Sequence, residues 1–231
     1  MMQPNLYVIA GPNGIGKTTS SFDLIPTNTP IINSDEIAAA IRNSGTSSVN
    51  LQEQGNREAA RMVNEYMNAM TSFAMETNLA DLDTWKFLQG AQKSGYLVTV
   101  LYLSCDQLAT LNSRIDQRVL AGEHYIRPDI VAERYTNGLK LLNHYFAVPD
   151  TLQLFDNGKT LQKVADIHKG TVVELALSLP EWVATHFTER LGSGAQQENK
   201  PVTDLNSVDE VRKAYEALKQ KNVPPKKGPK L

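Results

Sequence analysis

The sequence predicts a three-layer α/β fold, a mostly parallel sheet between helices with a helical extension at the C-terminal end, and three observations predict it. Residues 96–103, Tyr-Leu-Val-Thr-Val-Leu-Tyr-Leu, form a continuous β-rich apolar run of the kind buried on both faces of a parallel sheet. Short runs of this type alternate with stretches of helical periodicity from the first residues to about residue 155. Near the start, Gly11-Pro12-Asn13-Gly14-Ile15-Gly16-Lys17-Thr18-Thr19 fills every fixed position of the pattern GxxxxGK[ST].

Residues 6–10 read as a buried strand leading into that motif, and residues 20–25 as the helix leaving it. A short strand over 30–33 follows, then a helix over 35–42 opened by Asn33 or Ser34 as cap. Residues 52–70 carry Ala59, Met62, Val63, Tyr66, Met67 and Met70 at three-and-four spacing, which predicts a helix with that stripe on the core. Residues 71–75 read as a strand ending at Glu76-Thr77, and 82–93 as a helix closed by Gly95. After the run at 96–103, residues 106–120 predict a helix with Leu108, Leu111, Ile115 and Val119 inward, then a loop over 121–127. Pro128 opens a helix to about residue 146, and 152–155 with the turn Asp156-Asn157-Gly158 are expected to be the last strand. Residues 171–190 read as helical with a break at Pro180. Residues 192–200 read as a linker, 208–220 as one more helix, and the Pro- and Lys-rich end as a flexible basic tail.

The motif carries its own chemistry. Gly11, Gly14 and Gly16 let the backbone turn tightly and bring N–H donors close to a phosphate, and the following helix aims its positive end at the same point. Lys17 then reaches the β- and γ-phosphates, and the Thr18 hydroxyl ligates Mg²⁺. An ATP site follows, with GTP equally compatible, on a P-loop NTPase fold. In such folds ligands sit beyond the carboxyl ends of the strands. Asp35, Glu76 and Cys105-Asp106 all follow predicted strands, so topology gathers them on the edge that holds the loop.

Composition narrows the partners. Of 231 residues, 41% are hydrophobic, enough for one full core. The formal net charge of −2 offers no electrostatic reason for nucleic-acid binding. The single Cys105 excludes an internal disulfide and a multi-cysteine metal cluster, and no stretch resembles a membrane span, so a cytoplasmic setting is expected.

Phosphoryl transfer also needs a carboxylate to take the acceptor's proton and cations to offset transition-state charge. Asp35 is the expected general base, against the plain alternative of helix capping. Glu76 is expected to hold the acceptor hydroxyls, and either carboxylate could instead organise magnesium through water. Arg114, Arg118, Arg127 and Arg134 flank the 121–127 loop as a candidate lid, arginine being suited by its bidentate fork and permanent charge. His124 in that loop is a candidate phosphate or substrate contact.

These segments together resemble the zeta toxin family of P-loop kinases. The resemblance rests on residues 11–19, on Ile31-Ile32-Asn33-Ser34-Asp35, on Phe73-Ala74-Met75-Glu76-Thr77-Asn78-Leu79 and on the 118–135 segment, and covers about residues 5–160. It implies a kinase that phosphorylates a sugar hydroxyl of UDP-N-acetylglucosamine, with an antitoxin protein as partner. Lys17 and Thr18 would then handle phosphate and magnesium, Asp35 would be the base, and Glu76 with Thr77 would hold the amino-sugar. Arg118 would be one lid arginine, with Arg127 or Arg134 the second. Pattern and composition, not the resemblance, which implies nothing beyond residue 160, make residues 1–190 the expected kinase domain and 191–231 an appendage. The alternatives are a kinase for a different hydroxyl and a nucleotide-dependent switch acting through a partner protein.

Overall fold

The computed structural model describes residues 3–44, 50–120 and 125–192. Seven strands form one sheet in the order β2-β3-β1-β4-β5-β6-β7: β1 (Asn5–Ala10), β2 (Ile31–Ile32), β3 (Phe73–Thr77), β4 (Leu97–Ser104), β5 (Thr151–Asp156), β6 (Gln162–His168) and β7 (Thr171–Leu175). The first five run parallel, and β6 and β7 are antiparallel additions at one side. The helices are α1 (Lys17–Leu24), α2 (Ser34–Asn43), α3 (Leu51–Ala69), α4 (Leu82–Lys93), α5 (Leu108–Leu120), α6 (Pro128–His144) and α7 (Glu181–Gly192).

Alternation along the strands makes the three layers. Leu6, Val8, Phe73, Met75, Val98 and Val100 point into one core with Ala59, Val63, Trp85, Leu88 and Phe187 from the helices. Ile9, Ala74, Leu101 and Leu103 point into the other, against Ile15, Leu111, Ile115 and Val131. Helices on both faces are what a parallel sheet requires, since right-handed crossovers deliver them there.

Three expectations are corrected. Residues 152–155 belong to the fifth strand of seven, not the last, because β6 and β7 return as a hairpin. The two turn residues, Lys169 and Gly170, have φ of 47° and 80°, and His168 pairs with Thr171 across them. A two-residue turn with both φ positive matches strand twist, but Lys-Gly lacks the Asn-Gly signature that announces it. Consequently the helix expected over 171–190 exists only beyond Pro180, while Thr171, Val172 and Val173 follow their β-branched preference. Met70 also leaves the core stripe: it caps α3 in the left-handed conformation and is 45% exposed. The linker after Gly192, the 208–220 helix, the basic tail and the loop residues Gly122, Glu123 and His124 lie outside the described residues. No helix among the described residues is long and apolar enough to cross a membrane.

Candidate active site

Strand register sets the geometry. β1 lies between β3 and β4, with Ile9 beside Glu76 and Ala10 beside both Thr77 and Tyr102. The chain leaving Ala10 therefore emerges between the carboxyl ends of its neighbours.

Gly11 and Gly14 hold φ of 136° and 79°, a region L side chains rarely enter. A Cβ at Gly11 would sit 2.1 Å from the Leu103 carbonyl oxygen, and one at Gly14 2.6 Å from that of Leu111. The loop is thus pressed onto β4 and α5. Gly16 caps α1 without a side chain, and the first turn of α1 holds no acidic residue. Its N–H donors are left for an anion.

Lys17 folds back over the loop. Its Nζ donates to the Gly11 oxygen at 2.8 Å and the Pro12 oxygen at 3.0 Å, and reaches Asn78 Oδ1 at 3.4 Å. Burial pulls the ammonium down from 10.5 to about 8; Glu76 and Asp35 oppose that shift, and Arg134 and Arg118 add to it. Because the folded value lies below the unfolded one, the ammonium costs stability in full below about pH 8 and progressively less up to 10.5, a cost a bound phosphate relieves. Triphosphate favours the charged form, so binding takes up a proton once the pH passes about 8. Nucleotide affinity is expected to fall by up to about tenfold per pH unit above that point. Calorimetry in buffers of differing ionisation enthalpy would register the uptake, and a flat affinity across that range would mean that binding takes up no proton and that Lys17 is already charged in the free protein.

The Thr18 hydroxyl donates to Glu76 Oε2 at 3.1 Å and accepts from Asn33 Nδ2 at 3.4 Å. Burial pushes the Glu76 carboxyl up, Lys17 and the Thr18 hydrogen bond pull it down, and Glu36 and Asp35 push it up again. A hydroxyl and a carboxylate side by side are hard oxygen donors. They fit Mg²⁺, which keeps most of its shell as water and phosphate.

Asp35 sits in the first turn of α2, yet Asn33 is the cap: its Oδ1 accepts from the Asp35 N–H at 3.0 Å and the Glu36 N–H at 3.4 Å. The Asp35 carboxylate is thereby left exposed, accepting from Gln52 Nε2 at 2.9 Å. Its charge favours the protonated forms of both Lys17 and Arg134.

The arginines separate. Arg134 of α6 is half-buried and donates from Nη1 to Asn13 Oδ1 of the loop at 2.8 Å. Burial draws its guanidinium below its ordinary value, against Asp35, Glu133 and Asp81. Arg127 instead pairs with Asp129 at 2.8 Å on the surface. Arg118 is exposed on α5, and its charge is felt at Lys17. Arg114 turns to the Asp156–Gly158 turn, donating to the Asn157 oxygen at 2.8 Å and the Gly158 oxygen at 3.0 Å. Thr77 accepts from the Leu79 N–H at 3.1 Å, holding Leu79 at a φ of 54°.

Sequence reasoning placed Asn13 in the loop, Asn33 at a helix cap and Asn157 in a turn, but missed the contacts by which these residues and Asn78 converge. Asn13, Asn33, Asn78 and Asn157 each touch the loop or one of its side chains. The signal available was position: each directly precedes or follows a residue singled out for chemistry or turning.

The sequence profile of the Zeta toxin family matches residues 2–176, a wider span than the residues 5–160 over which the resemblance was legible. An uncharacterized protein of Haemophilus influenzae is 28% identical over 136 residues, 58% of this chain and 95% of that protein. A structure from the PezAT chromosomal toxin-antitoxin system of Streptococcus pneumoniae covers 72% of each chain at 18% identity, with a TM-score of 0.51. One of a putative kinase from Chloroflexus aurantiacus covers 60% of this chain and 79% of its own at 20% identity, with a TM-score of 0.46. Because the profile runs from β1 through the phosphate loop to the end of the β6–β7 hairpin, this chain belongs to the zeta toxin family of P-loop kinases.

Proposed function

We propose that the protein transfers the γ-phosphate of ATP to a hydroxyl of a small molecule, with UDP-N-acetylglucosamine the acceptor implied by the family. The observation that carries this reading is the exposed Asp35 carboxylate, held by its N–H to Asn33 at 3.0 Å while the same asparagine reaches Thr18 of the loop at 3.4 Å. A base must stand beside the phosphate cations and still be open to an incoming hydroxyl. In this scheme the loop N–H groups and Lys17 bind the β- and γ-phosphates, and Asp35 takes the acceptor hydroxyl's proton as the acceptor oxygen attacks the γ-phosphorus, whose bond to the β-phosphate oxygen breaks to release ADP. Arg134 neutralises charge on the transferring group, with Arg118 as the outer lid cation. Magnesium, held at Thr18, would neutralise the β- and γ-oxygens. GTP remains an alternative donor.

Glu76 has two readings. The family resemblance gives it and Thr77 to the amino-sugar; the 3.1 Å contact with Thr18 favours the magnesium side. A protein antitoxin is the proposed partner, supported by the family and by the toxin-antitoxin origin of one similar structure. A cytoplasmic setting is part of the same proposal.

Mass spectrometry of a panel of hydroxyl acceptors incubated with protein, ATP and Mg²⁺ tests the reading. One added phosphate on UDP-N-acetylglucosamine is expected, slowed at least about a hundredfold by Asp35→Asn. Glu76→Gln should raise the Mg²⁺ concentration needed for half-maximal rate if it serves the metal, and the acceptor KM alone if it serves the sugar. ATP consumption with every acceptor unchanged would overturn the sugar assignment in favour of a nucleotide-dependent switch.

A further inference from the structure

We propose that helix α7, which lies beyond the segment matching the family, is a working part of the nucleotide site: Trp182 holds the Asp156–Gly158 turn so that Asn157 orients the phosphate loop. The inference rests on reading residues 11–19 as a nucleotide loop.

A connected set of hydrogen bonds carries it. Trp182 is 2% exposed and docks twice at the carboxyl edge of the sheet. Its backbone N–H donates to Asp106 Oδ1 at 2.9 Å, and its indole Nε1 donates to Asp156 Oδ1 at 3.0 Å. Asp156 ends β5, and its other oxygen accepts from the Gly158 N–H at 3.3 Å, which shapes the turn. The Asn157 N–H donates to the Ser104 oxygen at 2.8 Å, and Arg114 grips the next two carbonyls from α5. Every side of the turn is held.

What the turn presents is the Asn157 amide. Its Nδ2 donates to the Ile15 carbonyl oxygen at 2.7 Å, in the middle of the phosphate loop. The peptide unit between Ile15 and Gly16 is planar and trans, so its C=O and N–H point in opposite directions. Fixing the Ile15 oxygen toward Asn157 aims the Gly16 N–H the other way, off the face that the turn occupies. Gly16 has a φ of 90° and a Cβ there would lie 3.0 Å from Asn157 Nδ2, so a larger residue would strain the backbone and crowd this contact. Asn157 is thus a positioning residue for a loop donor, and Trp182 positions Asn157 through Asp156. The bulk of α7 packs elsewhere, with Val183 and Phe187 in the main core.

The test measures the dissociation constants of ADP and of Mg-ATP without acceptor, at a temperature where every variant is folded. Asn157→Ala is expected to weaken both by about threefold to tenfold, the worth of one net hydrogen bond. Trp182→Phe, which keeps an aromatic ring and deletes the donor, should weaken them by about twofold to fivefold. The double variant should bind no more weakly than Asn157→Ala, since Trp182 acts through that residue. Leu191→Ala loosens the far end of the same helix, away from Trp182 and Asp156, and should lower thermal stability while leaving affinity as it was. If Trp182→Phe does not fold, Asp156→Ala removes the bond from the other side. Unchanged affinity in Trp182→Phe, or effects that multiply in the double variant, would overturn the strut. Absence of nucleotide binding by the unsubstituted protein would instead overturn the site on which it rests.

Discussion

Lys17→Ala is expected to lower the single-turnover rate of phosphate transfer by about a thousandfold, with nucleotide affinity falling much less. The Lys17 Nζ lies on the Gly11 and Pro12 carbonyls, where the loop holds a cation ready for charge that grows on the phosphate oxygens as the bond breaks. A preformed cation in an enclosed loop needs no reorganisation at that moment, which is why its loss falls on the rate. Stability should respond in the opposite sense. Enclosure already draws the ammonium down to about 8, so at neutral pH the fold carries an unfavourable charge. Lys17→Met keeps the stem and removes the charge, and its melting temperature at pH 7 should be no lower than that of the unsubstituted protein. Rate and melting curves on the two variants check both halves. A loss confined to KM for ATP would mean that Lys17 binds ground state and transition state alike.

How much of this was legible in the sequence depended on whether local chemistry or tertiary context decides. The phosphate loop was, because each of its fixed residues answers a requirement met within nine residues: φ at the glycines, charge at Lys17, a hydroxyl at Thr18. The five parallel strands were legible because burial on both faces writes apolar runs such as that of β4. The β6–β7 hairpin was not. Its turn takes two positive φ values from Lys169 and Gly170, and β7 exposes most of its residues, so neither turn chemistry nor alternation marks it. At the site, the choice of Asn33 or Ser34 as cap was legible and the structure settles it on Asn33, but the Gln52 amide on Asp35, from the next helix, was not. Arg114 was expected in the lid with the other arginines; the structure gives it two backbone carbonyls across 43 and 44 residues of sequence. Contacts of that separation leave no periodic trace.

The choice between Arg127 and Arg134 as second lid arginine turns on the same kind of contact, and it gives the other large effect. Arg134→Ala is expected to slow phosphate transfer by about a thousandfold or more, the range typical of an arginine that neutralises a transferring phosphoryl group. Arg127→Ala should change the rate by less than about threefold, because its pair with Asp129 is solvent-exposed, a class of contact worth little in water. The asymmetry arises in packing: α6 brings Arg134 to Asn13 at 2.8 Å, beside the field of Asp35, and keeps part of its side chain out of water. Arg134→Lys should recover only a small part of the loss, since an ammonium supplies the charge but not the planar fork. Asn13→Ala should raise KM for ATP more than it lowers the rate, for it frees Arg134 without removing it. Single-turnover measurements on the four variants read all of this. Equal losses in Arg127→Ala and Arg134→Ala would place both cations on the substrate and make the surface pair with Asp129 a resting state that substrate binding breaks.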